Sequence, residues 1–288
     1  MGKLPLTWRQ VAFCTLLIAA MALLLTSHDI VAQAVREGLL LCTQNVIPSL
    51  FPLFIAVSLL IGSGVGDLFP PQTAVLLLGL LGGYPVGAKA IADLVRTGSL
   101  DRKAGQRLLL CCNNAGPAFI LGIAGHSVFG SAAVGWALYG IHALSALILF
   151  ALIPRETAIS RSPRTLPPFA RVFVDAVRAG VTAMANICGF VVLFLVVLRL
   201  LTTYTGLCHP LLLGAVELTN GILALPNHAG GFVMAAALLG FGGLSVHCQT
   251  AAVLEGSGLK LLPYFLAKLV QAGISAVLAI AVKGWLFP

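Results

Sequence analysis

The chain has 288 residues, of which 59% are hydrophobic and only 9% charged, with a mean hydropathy of +1.03. Soluble domains carry about 25% charged residues, so a chain this apolar cannot cover itself with polar surface and belongs in lipid. The net charge of +8 sits in loops, where it acts as an orientation signal rather than a nucleic-acid footprint, and the lack of long alternating segments excludes an outer-membrane barrel.

The first apolar run, Trp8 to Thr26, follows Lys3 and Arg9. It mimics a signal peptide, but Thr26-Ser-His-Asp29 offers no small-x-small cleavage site, so it is read as an uncleaved transmembrane helix. Arg36 to Ile61 is a second helix, with Pro48 and Pro52 removing backbone donors and kinking it. Gly62 to Pro71 is a turn-rich link. Thr73 to Thr97 is broken by Gly82-Gly83 and Pro85 into halves too short to span. Arg96 to Arg107 is a basic loop. Ala104 to Ala124 is interrupted by Asn113-Asn114-Ala115-Gly116-Pro117, and Ser131 to Ile153 is an unbroken span.

Pro154 to Arg171, with Arg155, Arg161, Arg164 and Arg171, reads as a basic linker between halves. Beyond it, Ala176-Val-Arg-Ala-Gly180 echoes Ala34-Val-Arg-Glu-Gly38 and opens a long helix to about Leu201. Leu207 to Leu225 is apolar but holds Glu217 and Asn220. Gly230 to Leu254 is a second glycine-broken segment, and Leu261 to Trp285 is the last helix, with Lys268 and Gln271 inside it. Leu80-Leu-Gly-Gly-Tyr-Pro-Val-Gly-Ala-Lys89 pairs with Leu238-Leu-Gly-Phe-Gly-Gly-Leu-Ser-Val-His247, and an ungapped continuation sets Gly98 opposite Gly256. Breaks at matching places in two halves predict a transporter-like site at a repeat interface.

The expected fold is therefore all-α and polytopic, in the cell membrane, as two inverted repeats with broken or re-entrant helices. The divisions are 1–33, a first transmembrane helix; 34–153, the first half; 154–171, a cytoplasmic linker; and 172–288, the second half. The basic loops place the N-terminus in the cytoplasm and make 73–97 a re-entrant hairpin.

Lys89 and His247 fall at equivalent places in the paired segments, and a lysine at membrane depth costs about 3 kcal/mol unless paired or hydrated. Asp93, four residues on, is a ready partner. Gly83, Tyr84 and Pro85 leave unwound backbone free for a ligand. Asn113, Asn114, Gly116 and Pro117 add adjacent amides, which either meet solute or bind other helices. Glu217 with Asn220 is an intramembrane carboxylate, a functional-site candidate or a water-facing residue. Ser245, His247 and Gln249 complete the set. His126, His142, His209 and His228 read as interfacial or packing residues.

Seven cysteines without paired spacing predict packing rather than disulfides or zinc. His247, Cys248 and Gln249 with Cys111 or Cys112 offer a soft-metal alternative without a fixed ligand set, so no metal and no cofactor is assigned. Nucleophile–base pairs and phosphate loops are absent, so an enzyme is not expected. The expected partners are membrane lipid, a small polar solute and another copy of the chain, with no nucleic acid.

The run Gly82-Gly-Tyr-Pro-Val-Gly-Ala-Lys89, then Leu108-Leu-Leu-Cys-Cys-Asn-Asn-Ala-Gly-Pro117, then Phe241-Gly-Gly-Leu-Ser-Val246 with Gln249, resembles the YlbJ-type sporulation integral membrane proteins. These belong to a wider nucleoside-recognition, or Gate, group. The resemblance implies a multi-pass protein with a transport-related role, a nucleoside-like solute being favoured, and a link to sporulation. Divalent-metal permeation is a lesser branch. A membrane scaffold or assembly factor for spore or envelope formation is the alternative from another class.

Overall fold

The structure is a computed structural model that describes residues 8–64, 71–152 and 167–287. Lys3, most of the 62–71 link, and Arg155, Arg161 and Arg164 of the basic linker lie outside the described residues. Within them the chain is helical, with no β-sheet. Helix α1 (Trp8–Thr26) has no buried residue and packs lightly on α2 (His28–Leu41). A π-helical turn, Cys42–Val46, joins α2 to α3 (Ile47–Gly62). The axis bends by 56° between Val46 and Leu50, where Pro48 withholds its donor, as the prolines predict.

The next segments are α4 (Pro71–Gly82), α5 (Val86–Arg96) and α6 (Arg102–Cys112). A π-helical stretch, Ala118–Val128, follows, then α7 (Ala132–Leu152). The second half holds α8 (Phe169–Thr205), α9 (Pro210–Val216), α10 (Leu218–Leu223), α11 (Ala229–Phe241), α12 (Gly243–Leu254) and α13 (Leu261–Leu286). Among the described residues, five helical stretches are long and apolar enough to cross a membrane, α1, α7, α8, the joined α11–α12 and α13, and the bent α2–α3 pair would make a sixth if it is one span. The chain is thus an all-α multi-pass membrane protein.

Two short pairs turn back on themselves. A Cβ added to Gly87 would lie 3.0 Å from Gly79 Cα, although eight residues of helix would separate them by about 12 Å. α4 and α5 therefore form a hairpin, as expected for 73–97. Likewise a Cβ on Gly221 would lie 2.0 Å from Gly214 Cα, so α9 and α10 form a second hairpin.

The segments paired by sequence thus differ in shape. The break at 83–85 reverses the chain, whereas α11 and α12 continue as one 26-residue span across Gly242. The local reason lies in the neighbours of each break. Gly79 and Gly87 leave no Cβ between α4, α5 and Cys112 O, whereas the paired positions of the second segment, Ala237 and Ser245, each carry one. By shape, the hairpin at Glu217 matches the one at 83–85. The broken span at 242 matches α6 with its π-helical continuation, which lie antiparallel along α7. There Gly125 meets Gly135, and Ala115 N donates to His142 Nε2.

The echoing motifs at 34–38 and 176–180 do lie in similar places. α2–α3 runs antiparallel along α8: Gly38 packs on Val192, Gly180 on Ile55 and Phe51, and Gly62 on Val172. Small residues permit this close approach where lipid supplies no hydrophobic drive.

α5 is the most amphipathic of the short helices. Gly87, Ala88, Ile91 and Ala92 are buried, while Lys89, Asp93 and Arg96 face outward. Asp101 starts α6 by accepting from Lys103 N and Ala104 N. Added Cβ atoms at Gly79 and Gly87 would lie 1.6 Å and 1.8 Å from Cys112 O, whereas one at Gly140 meets nothing within 4 Å. Gly79→Ala and Gly87→Ala should each destabilise the protein by about 3 kcal/mol or more, and Gly140→Ala by nothing measurable. Thermal midpoints of the three variants in detergent check this, and equal midpoints would contradict the hairpin packing.

Candidate functional site

The breaks in four apolar segments meet in the interior. Gly83 and Gly116 touch through their backbones, and a Cβ on either would lie within 3.1 Å of the other residue. Gly243 packs on Gly214 O and Leu218 N, and Gly242 on the Tyr84 hydroxyl. Gly83, Gly242 and Gly243 have positive φ, a conformation glycine adopts without strain. The Tyr84-Pro85 peptide is cis.

Where these breaks converge they line a partly open cavity of about 60 Å³, enough for a few waters. Gly83, Tyr84, Gly116, Glu217, Ser245 and Gln249 line it, with apolar walls from Leu50 and Phe54 of α3 and Ile187 and Val191 of α8. Glu217 is 2% exposed. Its Oε2 accepts from Asn220 N and Asn220 Nδ2, both at 2.7 Å, and its Oε1 accepts from Thr219 N at 3.1 Å. The carboxylate thereby starts α10, and Oε1 keeps a lone pair directed elsewhere. The Ser245 hydroxyl is buried without a hydrogen-bond partner. Such groups are rare in protein interiors and call for an explanation.

Behind this wall lies a second polar cluster. Lys268, on α13, is wholly buried. Its Nζ donates to Gln271 Oε1 at 2.7 Å and Asn114 Oδ1 at 3.2 Å, and it lies over the rings of Tyr84 and Tyr264. Gln271 Nε2 donates to Asn114 Oδ1 and to Ser145 Oγ, which in turn meets Ser275. No carboxylate forms an ion pair with Lys268 among the described residues. Its partners are neutral acceptors and ring faces.

Asn113 bridges three elements: it accepts from Ala88 N and donates to Thr250 Oγ1 and Tyr264 Oη. His247 is also buried, with both ring nitrogens unpartnered, among Phe241, Tyr264 and Phe265.

The sequence-derived candidates therefore fall into separate places. Gly83, Tyr84, Gly116, Glu217, Ser245 and Gln249 share the cavity; Pro85 and Pro117 flank its breaks, and Asn220 holds Glu217. Asn113, Asn114 and His247 lie in the polar layer beside it. Lys89 stands apart: its side chain is 63% exposed and pairs with Asp93 at 2.6 Å. Asp93 also binds Arg96, which donates to the carbonyls of Val253 and Glu255. This network ties the end of α5 to the end of α12. Lys89, Asn114 and Glu217 do not converge on one cavity.

Lys268 and Gln271 stand inside the last apolar run outside the candidate set, although an ionisable residue in mid-span is itself a signal of a site. His142 is a hydrogen-bond acceptor within the 113–116 break, and His209 and His228 start α9 and α11. Groups of three or more His, Cys, Asp or Glu placed to hold a metal are absent among the described residues.

Fold and interior together define a polytopic membrane protein built around buried helix breaks. The chain is 29% identical to the sporulation integral membrane protein YlbJ of Bacillus subtilis (strain 168), over 91% of this chain and 81% of that protein. This similarity supports the YlbJ-type family for the chain. No family model matches it, and no solved structure does.

Asn114→Ala strands donors on both Lys268 and Gln271 and should destabilise by about 2–3 kcal/mol, whereas Lys268→Met should stay within about 1 kcal/mol of the wild type or exceed it. Thermal midpoints of both purified variants decide this. A large loss in Lys268→Met would show that the ammonium itself holds the helices together.

Proposed function

We propose that the chain is a transporter-type gate for a small polar solute, and that the cavity at the meeting of the four breaks is its site. The observation that carries this reading is a buried carboxylate and an unpartnered buried hydroxyl, Glu217 and Ser245, lining one cavity where unwound backbone from both halves converges. Broken helices around a midplane site are the recurrent architecture of secondary transporters. No catalytic step belongs to this reading, and its partners are membrane lipid and the solute.

An inverted-repeat organisation fits this reading. Each half runs span, hairpin, broken span, span, and α2–α3 opposes α8 antiparallel. With the N-terminus in the cytoplasm, the α4–α5 hairpin would enter from the cytoplasmic side and α9–α10 from the other. The cavity is smaller than the roughly 300–1,000 Å³ pockets that bury drug-sized ligands. A nucleoside-like solute, which the Gate resemblance favours, would therefore require the walls to part.

The second reading, a membrane scaffold in spore or envelope assembly, draws on the separation of Lys89 and Asn114 from the cavity and on the sporulation role in the relative's name.

Uptake of radiolabelled polar solutes into proteoliposomes separates the two. Ser245→Leu fills the cavity and removes the unpartnered hydroxyl, so it should fold normally and lower uptake at least about tenfold. Lys89→Ala should leave uptake unchanged. Equal uptake by empty liposomes, wild type and Ser245→Leu, across nucleosides, organic acids and amines, would leave the scaffold reading standing.

A further inference from the structure

Folding brings the basic stretch 96–107 of the first half against a short loop of the second half, residues 255–260. We infer that this junction binds the headgroup of an anionic phospholipid, with Arg102, Lys103 and Lys260 around its phosphate and its acyl chains along α13. The site is separate from the solute cavity and stands whether or not the cavity carries a solute.

Two contacts join the loops. A Cβ on Gly258 would lie 3.5 Å from both Nε and Nη1 of Arg102, so the guanidinium lies against the bare backbone of the 255–260 loop. One turn further along α6, Gln106 Nε2 donates to Lys260 O at 2.9 Å, and Gln106 Oε1 accepts from Lys260 N at 2.7 Å. Lys260 is thereby fixed beside the first turns of α6.

Arg102, Lys103 and Lys260 are exposed, and their side chains make no ion pair or hydrogen bond among the described residues. Their neighbours are engaged: Asp93 pairs with Lys89 and Arg96, and Asp101 accepts from Lys103 N and Ala104 N. Residues 89–107 and 253–260 together hold six basic and three acidic residues, a net charge of +3. Guanidinium and ammonium groups bind phosphate oxygens through charge-assisted hydrogen bonds, and basic pockets between membrane helices recruit anionic lipids.

The spans set the depth. The α11–α12 span ends at Leu254 and α13 begins at Leu261, so Lys260 lies at the end of a membrane-crossing helix, the level of the lipid headgroups. Just beyond it Leu262, Leu266, Leu269 and Val270 are all exposed and share one face of α13. The cations therefore continue directly into an apolar stripe. Inorganic phosphate would use the cations alone, whereas a phospholipid uses both. A zwitterionic lipid brings its own ammonium against the same cations and is disfavoured.

The test is a thermal-shift titration of the full chain in detergent at low ionic strength. Dioleoylphosphatidylglycerol, dioleoylphosphatidylcholine and inorganic phosphate are added in separate arms at equal concentration. The wild-type midpoint should rise by at least about 3 °C more with the phosphatidylglycerol than with the phosphatidylcholine, and inorganic phosphate should not reproduce the rise. Arg102→Gln/Lys260→Gln should shrink that difference below about 1 °C. Lys103→Glu is the second variant. It places an acid in the exposed first turn of α6, where the helix dipole favours it, so it should fold and should also remove the difference. Arg178→Gln/Lys283→Gln removes equal charge from exposed positions on α8 and α13 and should keep the difference. Equal responses to the two lipids overturn the inference, and so does a rise with inorganic phosphate that matches the phosphatidylglycerol. A difference that survives in either folded site variant, or that the Arg178→Gln/Lys283→Gln control loses as fully, also overturns it in favour of diffuse charge attraction.

Discussion

Backbone that leaves the helix inside a bilayer must find its hydrogen bonds within the protein, and this constraint organises the whole interior. Lipid offers no partner for a free amide or carbonyl, so a break is tolerated only where protein or a small aqueous pocket covers it. Here the breaks cover one another. Gly83 lies against Gly116, Gly243 against Gly214, and Gly242 under Tyr84. At these contacts a side chain would hold the backbones apart, which is why the segments are rich in glycine. Packing the breaks together concentrates the unwound backbone in one layer of the interior.

The same layer collects the polar side chains, but it sorts them by charge. Asn113, Asn114, Thr250, Tyr264, Gln271 and Ser145 form a bonded network around Lys268, with few donors unmet. Glu217, Ser245 and Gln249 face the cavity with acceptors to spare. Tyr84 belongs to both, lining the cavity while its ring lies beneath the Lys268 ammonium. Lys268 and Glu217 thus share the protein interior without contact between them. Burying either group in its charged form without an ionic partner is costly, so each is instead satisfied by neutral hydrogen-bond partners.

Outside that layer the charges have a different task. The chain Lys89, Asp93, Arg96 and the carbonyls of Val253 and Glu255 clamps the ends of α5 and α12, and Gln106 clamps the backbone of Lys260. Both contacts lie at one end of the bundle and join the two halves there. Exposed ion pairs of this kind contribute little individually. Their value lies in fixing the angle at which a hairpin from one half meets a broken span from the other.

Composition and hydropathy by themselves determined that this chain lives in lipid, that its elements are helices and where those helices break. Lipid immersion makes these local properties: a run of about 20 apolar residues spans, and glycine or proline interrupts it, whatever the neighbours. The α4–α5 hairpin and the kink at Pro48 were legible for that reason, and so were Glu217, Ser245 and Gln249 as polar residues in apolar surroundings. Which break reverses and which continues was decided by tertiary packing, since Gly79 and Gly87 matter only because α4, α5 and Cys112 meet. Sequence pairing therefore set 83–85 against 242–243, two breaks of unlike shape. It also set Lys89 at a site, because a lysine's depth depends on where the hairpin ends rather than on its neighbours in the chain. Lys268 was passed over for the converse reason: its partners, Asn114 and Tyr84, come from a half of the chain more than 150 residues away, and only folding brings them together.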